Sequence, residues 1–309
     1  IFVSAQRRRG EMEKKMKYRK WICMLCAIFL LSACATKEPV KEEKKKVVSI
    51  PQPTLNTEDV SAVVMDADTG KVYYAKNEQE SRYPASTIKL LSALVAIDYY
   101  KDNDELTTRN IMSLPDRVFI HTAPVYDGER IPFKDVIHGM LLKSSNEMAL
   151  TLAENYKGGY DGFIEAMNKR AKKIGCTKVD VSNPHGLSYA DKGWLKETCS
   201  TKDMALIAKE FYKNKKLRKI ISTESYIFES NPNREMKNVR MTQKDSTYYD
   251  KRVIGGKTGF TNLAGRCLVT YSKVKKKTII TVVFKENTRG ETYTDTKKLL
   301  DYVNDLLAA

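Results

Sequence analysis

Histidine is scarce in this chain: three residues in 309, His121, His138 and His185, with no zinc-ligand spacing among them. A metalloenzyme is disfavoured on that ground, and no metal or cofactor is expected. Long apolar runs are also missing. The longest, Trp21 to Ala33, holds thirteen residues, against the roughly 20 that a spanning helix needs, so a permanent transmembrane anchor is the weaker reading. Nine prolines, 42% hydrophobic residues and the lack of any internal repeat or low-complexity block exclude a collagen-like or disordered chain. Six cysteines are present, but a chain of this length buries a sizeable core without needing disulfides.

Acidic residues are outnumbered, 38 Asp+Glu against 54 Lys+Arg, giving a net charge of +16. Residues 1–33 carry +6 of this, and the remaining cations are scattered, as in Lys275-Lys276-Lys277 and Lys213-Asn214-Lys215-Lys216. No aromatic ladder or reader motif surrounds them. They read as solvated faces and turns, and no nucleic-acid partner is expected. A diffuse basic surface suits an acidic cell-wall or membrane environment.

The N-terminus reads as an address. A basic stretch, Met16-Lys17-Tyr18-Arg19-Lys20, precedes the apolar run, and together they form a secretory signal. Residues 1–15 read as translated sequence upstream of a start at Met16. Leu31-Ser32-Ala33-Cys34 resembles a bacterial lipobox. That resemblance implies cleavage before Cys34 and lipid on its thiol. The protein would then be exported and held at the outer face of the cell membrane. The expected organisation is 1–33 as upstream extension plus signal peptide, 34–54 as tether, and 55–309 as one composite domain. Cys23 and Cys26 have redox spacing but lie inside the apolar run, and with Cys34 lipidated, Cys176, Cys199 and Cys267 cannot all pair.

Within the composite domain, Ala62 to Asp66 and Lys71 to Ala75 predict two strands about a tight turn. Asp66, Asp68 and Gly70 resemble part of a calcium loop, but the terminal Glu is missing and a plain turn is preferred. Apolar residues three or four apart predict helices over Thr87 to Tyr100, Phe133 to Leu142, Asn146 to Tyr156, Gly162 to Ile174 and Thr201 to Tyr212. Strands follow at Val253 to Lys257, Cys267 to Tyr271 and Thr278 to Phe284, and an amphipathic helix, Thr294 to Leu307, closes the chain.

Three short motifs stand in order. Ser86-Thr87-Ile88-Lys89 opens a helix, Ser144-Ser145-Asn146 precedes another, and Lys257-Thr258-Gly259 ends a predicted strand. A serine hydroxyl is a poor nucleophile until a base removes its proton, and a lysine three residues along a helix lies on the same face. Lysine serves as that base only if burial and nearby positive charge depress its pKa, and Lys257 could supply the charge. Ser144 and Asn146 add a hydroxyl for proton relay and an amide to orient a substrate carbonyl or Lys89. Lys257 and Thr258 offer a cation and a hydroxyl to a carboxylate. Taken singly the last two motifs read as a helix cap and a strand-end turn.

Together, in this order, the three motifs form the set found in penicillin-binding proteins and class A β-lactamases. The chain resembles the low-molecular-weight serine D-alanyl-D-alanine carboxypeptidases over about residues 55–309. The likeness extends to Tyr83-Pro84-Ala85-Ser86-Thr87-Ile88-Lys89, Gly139 to Glu147, Asn183-Pro184-His185-Gly186-Leu187 and Gly256-Lys257-Thr258-Gly259-Phe260-Thr261. It implies an α+β fold of β-lactamase/transpeptidase-like type: a five-stranded antiparallel sheet flanked by helices, with a helical subdomain and the site between them. It also implies acyl transfer on peptidoglycan stem peptides, with Ser86 as nucleophile, Lys89 as base, Ser144 as relay and Asn146 positioning substrate. Lys257, Thr258 and Gly259 would bind the substrate's carboxylate end, and the backbone N–H groups of Ser86 and Phe260 would form the oxyanion hole. β-Lactams would trap the same serine. His185 matches a family segment, either as a binding residue or as part of a structural loop.

Two departures stand out. Many relatives carry an arginine where this chain has Thr292, and Arg289 is the candidate substitute. Many relatives also continue into a small β-rich domain and an amphipathic anchor, whose place the lipid on Cys34 would take. A D,D-endopeptidase is the nearest alternative activity. A class A β-lactamase would need a water-activating glutamate, for which Glu165 in a helical run is the nearest match, and a non-catalytic wall lipoprotein would not need the intact motifs.

Overall fold

Alternation with period two builds the sheet. In the first strand, β1 (Ser61–Asp66), Ala62 and Val64 face one side while Val63 and Met65 face the other, and all are buried. A strand with two buried faces belongs in the middle of a covered sheet, and β1 lies next to the centre. The computed structural model describes residues 50–109, 125–188 and 197–309. Cys34, the signal, residues 34–49 of the tether and His121 lie outside them.

The other strands of this sheet are β2 (Val72–Lys76), β7 (Val253–Thr261), β8 (Gly265–Val274) and β9 (Lys277–Glu286). Their order is β2-β1-β9-β8-β7, antiparallel throughout. The expected five-stranded antiparallel sheet is thus present, with the strand carrying Lys257 at an open edge. That strand is longer than predicted, so Lys257 stands mid-strand instead of at its end.

Helices cover both faces. α1 (Lys89–Tyr99) follows a single 3-10 turn, Ala85–Ile88, and packs with α2 (Phe133–Leu142), α3 (Asn146–Glu154), α4 (Gly159–Ile174) and α5 (Thr201–Lys213) on one side. Tyr271 of β8 ties α5 to the sheet by donating to the Ala208 carbonyl at 3.1 Å. On the other side lies α7 (Arg289–Leu306), which buries Leu299, Leu300 and Val303 against Ala62, Val64, Leu268 and Val283. Each such side chain contributes about 1.5–3 kcal/mol by leaving water. Thr288 and Glu291 form a capping box that starts α7 five residues earlier than periodicity predicted.

A short helix, α6 (Lys215–Ile221), replaces the solvated turn expected around Lys215 and Lys216. Asn214 Oδ1 caps it by accepting from the Lys216 and Leu217 N–H groups, and Leu217, Ile220 and Ile221 are buried. Two small two-stranded antiparallel sheets escaped prediction because each strand has three residues: β3 (Glu105–Thr107) with β4 (Arg130–Pro132), and β5 (Ser225–Ile227) with β6 (Glu235–Lys237). No helix among the described residues is long and apolar enough to cross a membrane.

Candidate active site

The three motifs come from separate elements and meet between the helices and the open edge of β7. Ser86 sits in the 3-10 turn, half-buried, and Lys89 is the first residue of α1 with no exposed surface. Ala85, just before the serine, has φ +46°, and the turn is held by Thr87 donating from its hydroxyl to the Pro84 carbonyl at 2.6 Å. This left-handed residue lifts Ser86 out of the helix line.

Lys89 Nζ has three partners: Ser86 Oγ at 2.8 Å, Asn146 Oδ1 at 2.5 Å and the His185 carbonyl at 2.8 Å. Two of these are pure acceptors and take two of its N–H groups. Ser86 Oγ accepts the third N–H, while its own proton is directed to the His185 carbonyl. Burial, and after it the charge of Lys257, hold Lys89 well below the ordinary lysine pKa, while Glu147 works in the opposite direction. A lysine with a lowered pKa at 2.8 Å from a serine hydroxyl is placed to act as its general base on losing a proton.

Ser144 and Asn146 divide their work through Ser145. Ser145 caps α3 by accepting from the Met148 N–H at 3.2 Å and donates to Glu147 Oε2 at 2.8 Å. Ser144, at φ +63°, is thereby free to reach Lys257, whose Nζ donates to its Oγ at 2.7 Å and to the Thr258 carbonyl at 2.9 Å. Burial lowers the Lys257 pKa to about 7. With its Oγ accepting from Lys257, Ser144 keeps its own proton to give.

Gly259 lets β7 close on the nucleophile turn: a Cβ there would lie 3.1 Å from the Ser86 nitrogen and 3.0 Å from the Ala85 Cβ. Edge position and this close packing put Ser86 and Phe260 on the wall of one cleft. The Phe260 ring has a role that sequence reasoning missed, since the Arg266 guanidinium stacks on it at 3.6 Å.

His185 departs from expectation. Its ring is fully buried and does not line the cleft, so it is not a binding side chain. Burial and the charge of Lys89 hold the imidazole well below its ordinary pKa, and its Nδ1 accepts from the Leu187 N–H at 3.2 Å. What reaches the site is the carbonyl, which also accepts from Ser86 Oγ at 3.3 Å. Asn183 and Glu197 hold that loop. Asn183 Oδ1 accepts from the His185 and Gly186 N–H groups, and Glu197 Oε1 accepts from Ser182 N, Ser182 Oγ and Asn183 N. Asn183 lies in a segment the resemblance had marked, whereas Glu197 gave no signal.

A cleft of about 870 Å³ opens over Ser86, lined also by Ser144, Asn146, Thr258, Gly259, Phe260 and Arg289. No Asp or Glu side chain is among its described lining residues, and Glu165 lies exposed on α4. Thr292 lines the cleft too, with its hydroxyl donating to the Arg289 carbonyl at 2.7 Å. Among the described residues no cluster of His, Cys, Asp or Glu could hold a metal ion.

The fold is of the penicillin-binding, transpeptidase-like class. The chain belongs to the peptidase S11 family, D-alanyl-D-alanine carboxypeptidase, whose profile matches residues 46–288. It is 30% identical over 247 residues to D-alanyl-D-alanine carboxypeptidase DacF of Bacillus subtilis, covering 78% of this chain and 61% of that protein. It is 31% identical over 246 residues to the D-alanyl-D-alanine endopeptidase of Escherichia coli, covering 79% of this chain and 76% of that protein. The crystal structure of D-alanyl-D-alanine carboxypeptidase from Mycobacterium tuberculosis superposes with a TM-score of 0.72 at 25% identity, covering 83% of this chain and 94% of that one. This chain thus spans less than two thirds of the length of the Bacillus relative.

Proposed function

We propose that this protein removes the terminal D-alanine from peptidoglycan stem peptides through an acyl-enzyme on Ser86. The observation that carries the reading is the three-way coordination of Lys89 Nζ by Ser86, Asn146 and the His185 carbonyl. Ser86 Oγ attacks the carbonyl carbon between the two terminal D-alanines while its proton passes to Lys89. The C–N bond breaks, and the departing amine takes a proton delivered through Ser144, leaving an ester that water hydrolyses. Asn146 Nδ2, with no partner among the described residues, donates to the substrate. Thr258 and the charge of Lys257 receive the terminal carboxylate. The backbone N–H groups of Ser86 and Phe260 hold the oxyanion.

Endopeptidase cleavage of cross-links is the second reading, favoured by the open cleft and by the likeness to the Escherichia coli endopeptidase. Rapid β-lactam turnover finds no support, because no carboxylate is placed to activate water in the described lining. Cleavage before Cys34 and lipid on its thiol belong to the same proposal and would hold the enzyme at the outer face of the bacterial cell membrane.

Mass spectrometry after incubation with a penicillin, beside the Ser86→Ala variant, tests the reading. A stable adduct on Ser86 alone is expected. Intact penicillin and no adduct would remove the acyl-transfer assignment. Defined muropeptides then separate release of D-alanine from cleavage of cross-links.

A further inference from the structure

Three guanidinium groups line the cleft, and among the described residues none of them makes an ion pair. Arg240, Arg266 and Arg289 come from the 3-10 turn before β7, from β8 and from the first turn of α7, and all line the cavity that holds Ser86. Each lies near enough to the Tyr293 phenol to draw its pKa down against the stronger upward push of burial. Arg289 also adds to burial in lowering the pKa of Arg266. Arginine ion pairs among the described residues involve Arg82, Arg130, Arg170, Arg234 and Arg252, and none of the three.

Arg266 is the fixed member. It stands directly across from Phe260 in the β7–β8 register, its plane rests on the Phe260 ring, and its Nε is buried with no hydrogen-bond partner among the described residues. A stacked guanidinium presents its N–H edge sideways, the geometry for a carboxylate. Like charges held together are unfavourable unless a ligand brings the opposite charge. One carboxylate has two oxygens and is satisfied by one or two guanidiniums, so three exceed what a single terminal carboxylate uses.

We infer that Arg240, Arg266 and Arg289 form a subsite for a second carboxylate on the leaving side of the substrate. The residue after the scissile bond would thus carry an acidic group besides the one beside the scissile amide. The inference rests on the acyl-transfer reading above. Its place follows from Arg266 being pinned on Phe260, two residues past Thr258, which receives the first carboxylate.

The test compares N-acylated D-Ala-D-Glu with its neutral isostere D-Ala-D-Gln as substrates of the whole protein. Charge-assisted pairing predicts kcat/KM about 10-fold higher for the acidic leaving residue. The ratio should fall toward 1 in Arg266→Gln and Arg240→Gln, and shrink with added salt. Penicillin acylation of each variant reports that fold and nucleophile are intact, and Arg240, being exposed, is replaceable without disturbing the core. A ratio near 1 in the wild type, or an unchanged ratio in both variants, overturns the subsite. So does arginine dependence that follows a carboxylate placed on the acyl residue. A wild type that neither cleaves these peptides nor takes penicillin would instead remove the acyl-transfer reading, and the subsite with it.

Discussion

The charge of Lys257 reaches Lys89 across the site and adds to burial in lowering the pKa of the base. The two lysines have opposite requirements: Lys89 must be neutral to take the Ser86 proton, and Lys257 must be charged to face a carboxylate. Activity should therefore rise with pH as Lys89 loses its proton and fall as Lys257, at about 7, loses its own. A guanidinium stays charged beyond pH of about 12. In Lys257→Arg the falling limb of kcat/KM should leave the measurable range while the rising limb stays. An unmoved falling limb would assign it to another group.

Gly186 carries a second expectation. It has φ +80°, and a Cβ there would lie 2.0 Å from the Ala85 carbonyl oxygen, next to the nucleophile. Gly128 has the same φ, but nothing described lies within 4 Å of its Cβ position. Gly128→Ala should cost only backbone strain, about 1–2 kcal/mol, and leave the rate of penicillin acylation unchanged. Gly186→Ala should cost more in urea unfolding and slow acylation at least tenfold, roughly what 1.4 kcal/mol of barrier produces. Equal behaviour of the two variants would mean that the 183–187 loop does not position Ser86.

Much of this site was legible because its motifs are local. Ser86 and Lys89 meet through helical spacing, and the dependence of Lys89 on burial and on Lys257 followed from what a lysine base requires. The helix order followed from periodicity, the five-stranded sheet from the family resemblance, and the contact of Asn146 with Lys89 from the motif. The arginine cluster was hidden because its members lie on three elements that only folding brings together, though Arg289 was flagged by the missing arginine at Thr292. Glu197 gave no signal, being a lone acid whose partners are backbone groups. α6 was masked by its four cations and its seven residues, and Lys257 was misplaced at a strand end because Gly255 and Gly256 blurred the pattern. His185 was read as either a binding residue or part of a structural loop, and sequence has no marker for the carbonyl that reaches the site.

The cysteines give a third test. Cys176, Cys199 and Cys267 are free and buried, and desolvation pushes the Cys176 and Cys267 thiols up to about 12 and the Cys199 thiol well above its ordinary value. Thiolates react, thiols do not. At pH 8 a disulfide reagent should label none of the three in the native protein and all of them in guanidinium chloride, as read by peptide mass mapping. Rapid native labelling of Cys267, which lines the cleft, would show that β7 opens.

Glu197 links the loop to pH. Its carboxyl is buried, and desolvation raises its pKa from 4.5 to about 7 despite the N–H and O–H groups donating to Oε1. Between these values the folded protein keeps a proton that the unfolded chain releases. The stabilisation is therefore complete below pH 4.5 and lost as pH rises through about 7, amounting to on the order of 3 kcal/mol. A glutamine at this position offers the same acceptor oxygen and does not titrate. Urea unfolding of Glu197→Gln should therefore lack this component, so that the stability of the variant relative to wild type improves between pH 4 and pH 8. Glu197→Ala leaves the Ser182 and Asn183 donors without their acceptor. It should be destabilised at both pH values by about 1–3 kcal/mol, and should acylate slowly because the His185 carbonyl loses its support. Parallel pH curves for wild type and Glu197→Gln would mean that the carboxyl is ionised in the native loop across this range. The loop would then be held by a charge instead of a shared proton.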